Sequence, residues 1–206
     1  MKITEIKQLK NGRYGLFSLE GYLFSLDEET YVLCGVKTGD ELLEDELESL
    51  KEQAADKKVR DKAFMLLSYR DHSKQELKKK LLRTTDEETA EAAAEKMQQL
   101  GLINDEKYAK TFALELIMRR NFGNIRAIYE LTKRGINRED AKAVVESIED
   151  DPLARAERYL SKKFSRGILN EQTRKRAAAA LSRDGFGWEE INKALKNYGM
   201  ENYDAD

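Results

Sequence analysis

Apolar residues recur along most of this chain at the three- and four-residue spacing of a helix. Ala63, Leu66 and Leu67 show it, as do Leu77 and Leu81, Leu116 and Ile117, and Val144, Val145 and Ile148. All of these positions read as core. The first forty residues follow another rule. Ile3, Ile6 and Leu9 precede Asn11-Gly12, and the runs Tyr14–Leu19, Tyr22–Leu26 and Tyr31–Leu33 are short, rich in aromatic and aliphatic residues, and set apart by turn residues. That is the signature of hairpins, and it predicts two or three short strands. So small a head is marginal alone and should dock on the helices that follow.

Helix starts are marked by hydroxyl-to-glutamate pairs. Thr38 with Glu41, Ser73 with Glu76 and Thr85 with Glu88 fit the capping box, in which the hydroxyl accepts from a free amide and the carboxylate reaches back. Such a cap contributes about 1 kcal/mol. Helix stops are marked by Gly101, Gly135 and Gly185, each followed by an apolar residue, Leu102, Ile136 or Phe186, as in a Schellman ending. These signals predict a connecting helix near 41–53 and then nine helices in three sets. The first set lies near 56–70, 73–83 and 86–100, the second near 105–120, 123–134 and 138–148, and the third near 152–165, 171–183 and 188–198.

The sets repeat one another at a spacing of about fifty residues. Ala63, Leu66, Leu67, Arg70 and Leu81 return as Ala113, Leu116, Ile117, Arg120 and Leu131, and Leu131–Ile136 returns as Leu181–Phe186. A period of this size marks a stacked-unit architecture with long contact surfaces. The expected fold is mainly α: three tandem three-helix repeats in an elongated, curved array, after a small β-hairpin-containing N-terminal region. The expected divisions are 1–54 for the head and connecting helix, then 55–103, 104–150 and 151–206 for the repeats, the last with a basic face and a polar C-terminal tail. The third repeat differs by about seven extra residues, mostly Ser165–Asn170.

Composition changes this picture little. With 37 Lys and Arg against 39 Asp and Glu, the formal net charge of the 206 residues is −2. Its distribution matters more. Residues 1–60 carry nine basic against thirteen acidic residues, a balance of −4, whereas residues 152–183 carry nine against two, a balance of +7. Such asymmetry suggests that one end meets a polyanion or an acidic protein surface. Any single lysine there reads as solvated, but the cluster reads as a contact surface, because an exposed helix face normally mixes signs. The lone Cys34 forms no internal disulfide, no charged-then-apolar leader opens the chain, and no apolar run reaches membrane-spanning length. A cytoplasmic monomer is the expectation.

The search for chemistry returns little. One histidine and one cysteine exclude His/Cys zinc sites and histidine-based triads built within the chain. Gly35–Gly39 lacks the spacing of a phosphate loop and reads as a strand-to-helix turn. His72 reads as a solvated turn residue. Asp27–Glu29 and Glu44–Glu46 have oxygen ligands, but the second run diverges around a helix and reads as solvated face. The chain is expected to be no enzyme and to hold no metal or cofactor.

The stretch Arg70-Asp71-His72-Ser73-Lys74-Gln75-Glu76-Leu77-Lys78-Lys79-Lys80-Leu81 resembles the "R..S..EL...L" opening of the RecX regulatory proteins, and the junction Leu100–Ala109 matches as well. Arg120, Gly123, Arg126, Glu130, Leu131, Lys133, Gly135 and Ile136 resemble that family's "R..G..RI..EL..KGI" stretch. Asn124 and Ala127 depart from the family pattern, which often has proline and a larger aliphatic residue there. The resemblance covers roughly residues 55–198, and the head resembles the extension of longer members. It implies three tandem three-helix units and a modulator of the RecA recombinase. Such a protein lies along the RecA–DNA filament groove and limits filament growth, ATP hydrolysis and strand exchange in recombination, repair and the SOS response, with weak contact to single- or double-stranded DNA. Candidate contacts are Arg155, Arg158, Lys162, Lys163, Arg166, Arg174, Lys175 and Arg176, then Arg70, Arg120 and Arg126 at the repeat hinges, with Lys133 and Arg134. The competing reading is an autonomous DNA-binding module of helix-turn-helix kind. Near-neutral charge and the lack of a recognition helix dense in Arg, Asn and Gln speak against it.

Overall fold

The computed structural model describes residues 1–201, with side chains through 199. The expected polar tail lies largely outside the described residues. Three strands, β1 (Glu5–Gln8), β2 (Tyr14–Ser18) and β3 (Gly21–Leu26), form an antiparallel meander. Glu5 faces Phe17 and Leu16 faces Phe24, with a register shift between Leu16 and Phe17. Alternation along β2 and β3 turns Leu16, Phe24 and Leu26 inward, against Ile3, Val36 and Ala54. The head therefore docks on a helix, as its small size requires.

Tyr31–Leu33, expected as strand, lies in helix α1 (Glu28–Cys34). The cap explains it: Asp27 accepts from the Thr30 amide at 3.1 Å, and Glu28 and Glu29 stand in the first turn, where carboxylates favour the helix dipole. These local terms outweigh the strand preference of Tyr31 and Val32. Gly35 closes the helix at φ 63°, so Gly35–Gly39 joins two helices rather than a strand to a helix.

Helix α2 (Glu44–Tyr69) corrects two further expectations. It is one continuous helix, not a connecting helix followed by a separate first-set helix. No glycine or proline lies between residues 44 and 69, and the good helix formers around Gln53–Ala55 give it no reason to stop. It also starts later than Thr38 implies, because Glu46 reaches back to the Leu43 amide at 2.9 Å, while the backbone at Glu41 is extended and pairs antiparallel with that at Lys2.

The remaining helices are α3 (Lys74–Leu81), α4 (Glu87–Gln99), α5 (Asp105–Leu114), α6 (Asn124–Lys133), α7 (Arg138–Glu146), α8 (Pro152–Lys163), α9 (Glu171–Arg183) and α10 (Trp188–Glu201). The cap of α4 is Asp86, which accepts from the Thr89 amide at 2.9 Å, so the Thr85–Glu88 box is displaced by one residue. A π-helical turn, Glu115–Arg119, extends α5, and the Arg120 amide donates to the Glu115 carbonyl at 3.1 Å. Gly135 and Gly185 have φ of 89° and 84°, and the Ile136 and Phe186 amides donate to Leu131 and Leu181 at 3.2 and 3.1 Å. Both endings are Schellman motifs. At Gly101 it is Ile103 that is buried, while Leu102 stays exposed.

The chain forms two compact units, one of residues 1–69 and 78–97, the other of residues 70–77 and 98 onward. In the first, Ala54 of α2 closes the head's core, and Lys57 pairs with Asp27 at 2.8 Å and with Glu29. That pairing holds the Asp27 carboxyl well below the usual carboxylate range despite the opposing effect of burial. The second contains two cores, one of α5, α6 and α7 around Phe112, Leu116, Ile117 and Leu131, the other of α8, α9 and α10 around Leu160, Leu181 and Phe186. Among the described residues no helix is long and apolar enough to cross a membrane.

Candidate functional site

The cations expected between Arg155 and Arg176 separate into three kinds. Arg155 is turned inward, 1% exposed, with Nη1 3.0 Å from Asp150 and Nη2 donating to Asn124 Oδ1 at 2.5 Å. Burial is the main influence on it and pushes its pKa down, against the pull of Asp150. Arg155 is thus a structural ion pair and not a contact residue, which corrects the expectation. Its spacing explains why: Arg155, Ala156, Tyr159 and Leu160 share the buried side of α8.

Arg158 and Lys163 are half-exposed but engaged. Arg158 meets Asp150 at 3.1 Å, and Lys163 donates to the Tyr159 hydroxyl at 2.6 Å and lies 3.9 Å from Asp184. The third kind is Lys162, Arg166, Arg174, Lys175 and Arg176, all exposed and without an acidic partner at ion-pair distance among the described residues. They follow one another from the last turn of α8, through the loop, into α9. Three of them occupy the second turn of α9, preceded only by Glu171 in the first. They lie past the first turn, where the helix dipole has little hold on them, and as good helix formers they suit the helix while leaving their charges exposed.

The hinge arginines come together elsewhere. Arg70, Arg120 and Arg134 line one cleft of about 320 Å³ with Tyr108, Phe112 and Glu115. Each is compensated. Arg120 meets Glu115 at 2.5 Å, while Arg70 and Arg134 converge on Glu76 at 2.5 and 3.2 Å. The Tyr108 hydroxyl donates to the same carboxylate at 3.2 Å, and the Arg134 guanidinium lies 4.2 Å from the Phe112 ring centre. Burial alone would raise the Glu76 pKa, but the Arg70 hydrogen bond and the charges of Arg134 and Arg70 hold it at about 2. Ser73 caps α3 as expected, accepting from the Glu76 amide at 3.0 Å. The Glu76 carboxylate is drawn away to the arginines instead of closing the box. Neighbouring His72 is 3% exposed, with Nδ1 2.8 Å from the Arg70 carbonyl, so it is not the solvated residue expected.

Arg126 is likewise committed. It pairs with Asp184, lies 3.9 Å from Glu130, and stacks its guanidinium 4.0 Å from the Phe122 ring centre. Lys133 is exposed in the last turn of α6, where a cation suits the helix dipole. Glu76, Glu115, Asp150 and Asp184, which hold these arginines, are partners not anticipated from the sequence. A signal for two of them existed: at the fifty-residue offset Glu76 falls on Arg126, and Arg134 falls on Asp184. Among the described residues no group of three or more His, Cys, Asp or Glu side chains is arranged to hold a metal ion.

Comparison with known proteins places the chain. The family model "RecX, first three-helix domain" matches residues 60–97. The regulatory protein RecX of Caldanaerobacter subterraneus subsp. tengcongensis is 30% identical over 197 residues, spanning 95% of this chain and 98% of that one. The chain belongs to the RecX family. The RecX protein of Bacillus velezensis is 30% identical over 210 residues, covering 98% of this chain and 79% of its own length. A crystal structure of a regulatory protein RecX superposes with a TM-score of 0.68 at 22% identity, over 96% of this chain and all of that one. A RecX structure from Lactobacillus salivarius gives 0.58 at 19% identity over 71% of this chain, so the RecX fold is shared.

Proposed function

We propose that this RecX-family chain regulates the RecA recombinase without catalysing a reaction, binding the RecA–DNA filament and restraining filament growth, ATP hydrolysis and strand exchange. The observation that carries the reading is a run of five exposed cations without acidic partners, Lys162, Arg166, Arg174, Lys175 and Arg176, on a member of a family of regulatory proteins. A filament of protein on nucleic acid offers both phosphates and acidic protein surface, and clustered cations meet either. In this reading the contact modules are α2–α4, α5–α7 and α8–α10, which follow the expected divisions at 55–103, 104–150 and 151–206 except that the first helix begins at Glu44. The third carries the most uneven charge, with the balance of +7 over residues 152–183, and works from a cytoplasmic monomer.

RecA-dependent ATP hydrolysis on single-stranded DNA, followed as this chain is added, tests the proposal together with co-sedimentation of the chain with filaments. Hydrolysis should fall as the chain enters the pellet. No change in hydrolysis and no co-sedimentation would overturn the reading. So would tight, sequence-selective binding to duplex DNA without RecA and with a steep salt dependence, which belongs to an autonomous DNA-binding module.

A further inference from the structure

Two places in the second unit are built alike. At one, the first turn of α3 meets the end of α6: the Ser73 hydroxyl donates to the Arg134 carbonyl, and a Cβ on Gly135 would come within 2.1 Å of Gln75 Cβ. At the other, the first turn of α6 meets the end of α9: the Gly123 amide donates to the Asp184 carbonyl at 2.8 Å, and the Ile125 amide to the Gly185 carbonyl at 3.1 Å. A Cβ on Gly185 would come within 2.3 Å of the Arg126 amide nitrogen. The fifty-residue offset maps Ser73 onto Gly123, Arg134 onto Asp184 and Gly135 onto Gly185. The same joint is therefore made twice, with the corresponding carbonyl accepting and the corresponding glycine allowing close approach.

The donors differ, a side-chain hydroxyl at the first joint and two backbone amides at the second, and the side-chain charges are reversed. The first joint sets Glu76 of the entering turn against Arg134 of the helix end, at 3.2 Å. The second sets Arg126 of the entering turn against Asp184 of the helix end. All four side chains are about two-thirds covered or more, with exposures of 17% and 31% in the first joint and 32% and 13% in the second. Each arginine also lies against a phenylalanine ring, Phe112 in the first and Phe122 in the second.

We propose that this reversal is an address code that fixes which turn docks on which helix end. Because the accepting carbonyl and the close-approach glycine correspond in the two joints, the first turn of α3 would otherwise fit the end of α9, and the first turn of α6 would fit the end of α6 in a second copy. Both errors bring like charges together, Glu76 on Asp184 and Arg126 on Arg134. Like charges that are partly withdrawn from water repel strongly, so wrong docking is excluded. Repeat proteins with interchangeable joints are prone to this kind of misassembly and exchange between chains.

Exchanging the charges of the second joint tests the code without altering net charge. Asp184→Arg alone sets two arginines together and should lower the thermal unfolding midpoint by about 3–6 °C. Adding Arg126→Glu should recover most of that loss. In this double variant both joints set a glutamate against an arginine, so the two addresses are the same. The double variant should then self-associate with rising concentration in sedimentation velocity, beyond anything the parent chain shows. Failure of the second change to recover the midpoint would overturn the proposal. Recovery with sedimentation indistinguishable from the parent at every concentration would overturn it equally.

Discussion

Glu76 meets two arginines and a phenol while only 17% of its side chain is exposed. Its pKa of about 2 lies below the 4.5 of an unperturbed glutamate. A carboxyl depressed by folding contributes stability above its unfolded pKa, and that contribution disappears as pH falls through the folded value. The contribution is on the order of 2–3 kcal/mol and should be lost between about pH 4.5 and 2. Glu76→Gln should therefore reduce stability at pH 7, and its difference from the parent should shrink toward pH 2. Urea unfolding across that range measures it, and a difference independent of pH would refute the assignment. Glycines make the second residue-scale case. Gly123→Ala keeps ordinary backbone angles but drives a Cβ to 2.1 Å from the Gly185 backbone, whereas Gly185→Ala adds the strain of φ 84°. Both substitutions should destabilise, Gly185→Ala by at least about 2 kcal/mol and more than Gly123→Ala, in chemical denaturation. Equal losses would mean that close approach alone matters.

At the scale of elements, α2 offers the plainest test. Ala55 is exposed near its middle. Ala55→Pro should cost about 3 kcal/mol in an unbroken helix, since it removes an internal hydrogen bond and clashes with the preceding turn. At the start of a separate helix the same proline would be tolerated. Unfolding midpoints decide between the two. The elements also show what the sequence could express. The helices after residue 70, with the glycine endings at 135 and 185, were legible because caps, period and stops agree there. The boundary within α2 was read wrongly because a repeat period suggests a division that no breaker enforces. α1 was missed because Asp27, read only as an acidic run, is a cap. Arg155 was misassigned by counting charge along the chain without its position around α8, although its spacing from Ala156 and Leu160 marks the buried side. The Glu76–Arg134 and Arg126–Asp184 pairs join residues 58 positions apart, and only aligning the repeats brings such pairs into view.

For the whole molecule, charge divides by purpose. Most cations at the helix junctions are neutralised by nearby acids and serve the fold, and the run of five from the end of α8 through the loop into α9 is left to solvent or to a partner. Reversing Lys162, Arg166, Arg174, Lys175 and Arg176 should change stability little, because exposed positions without partners contribute within about 0.5 kcal/mol each. The same reversal should remove the chain's effect on the recombinase. The most direct measurement is RecA-dependent ATP hydrolysis on single-stranded DNA, with the parent chain and this five-residue glutamate variant matched for unfolding midpoint. The parent should inhibit, and the variant should require at least about tenfold more protein for the same effect, a difference of about 1.4 kcal/mol in binding. Equal inhibition by the two proteins would contradict the assignment of this basic surface as the site of action.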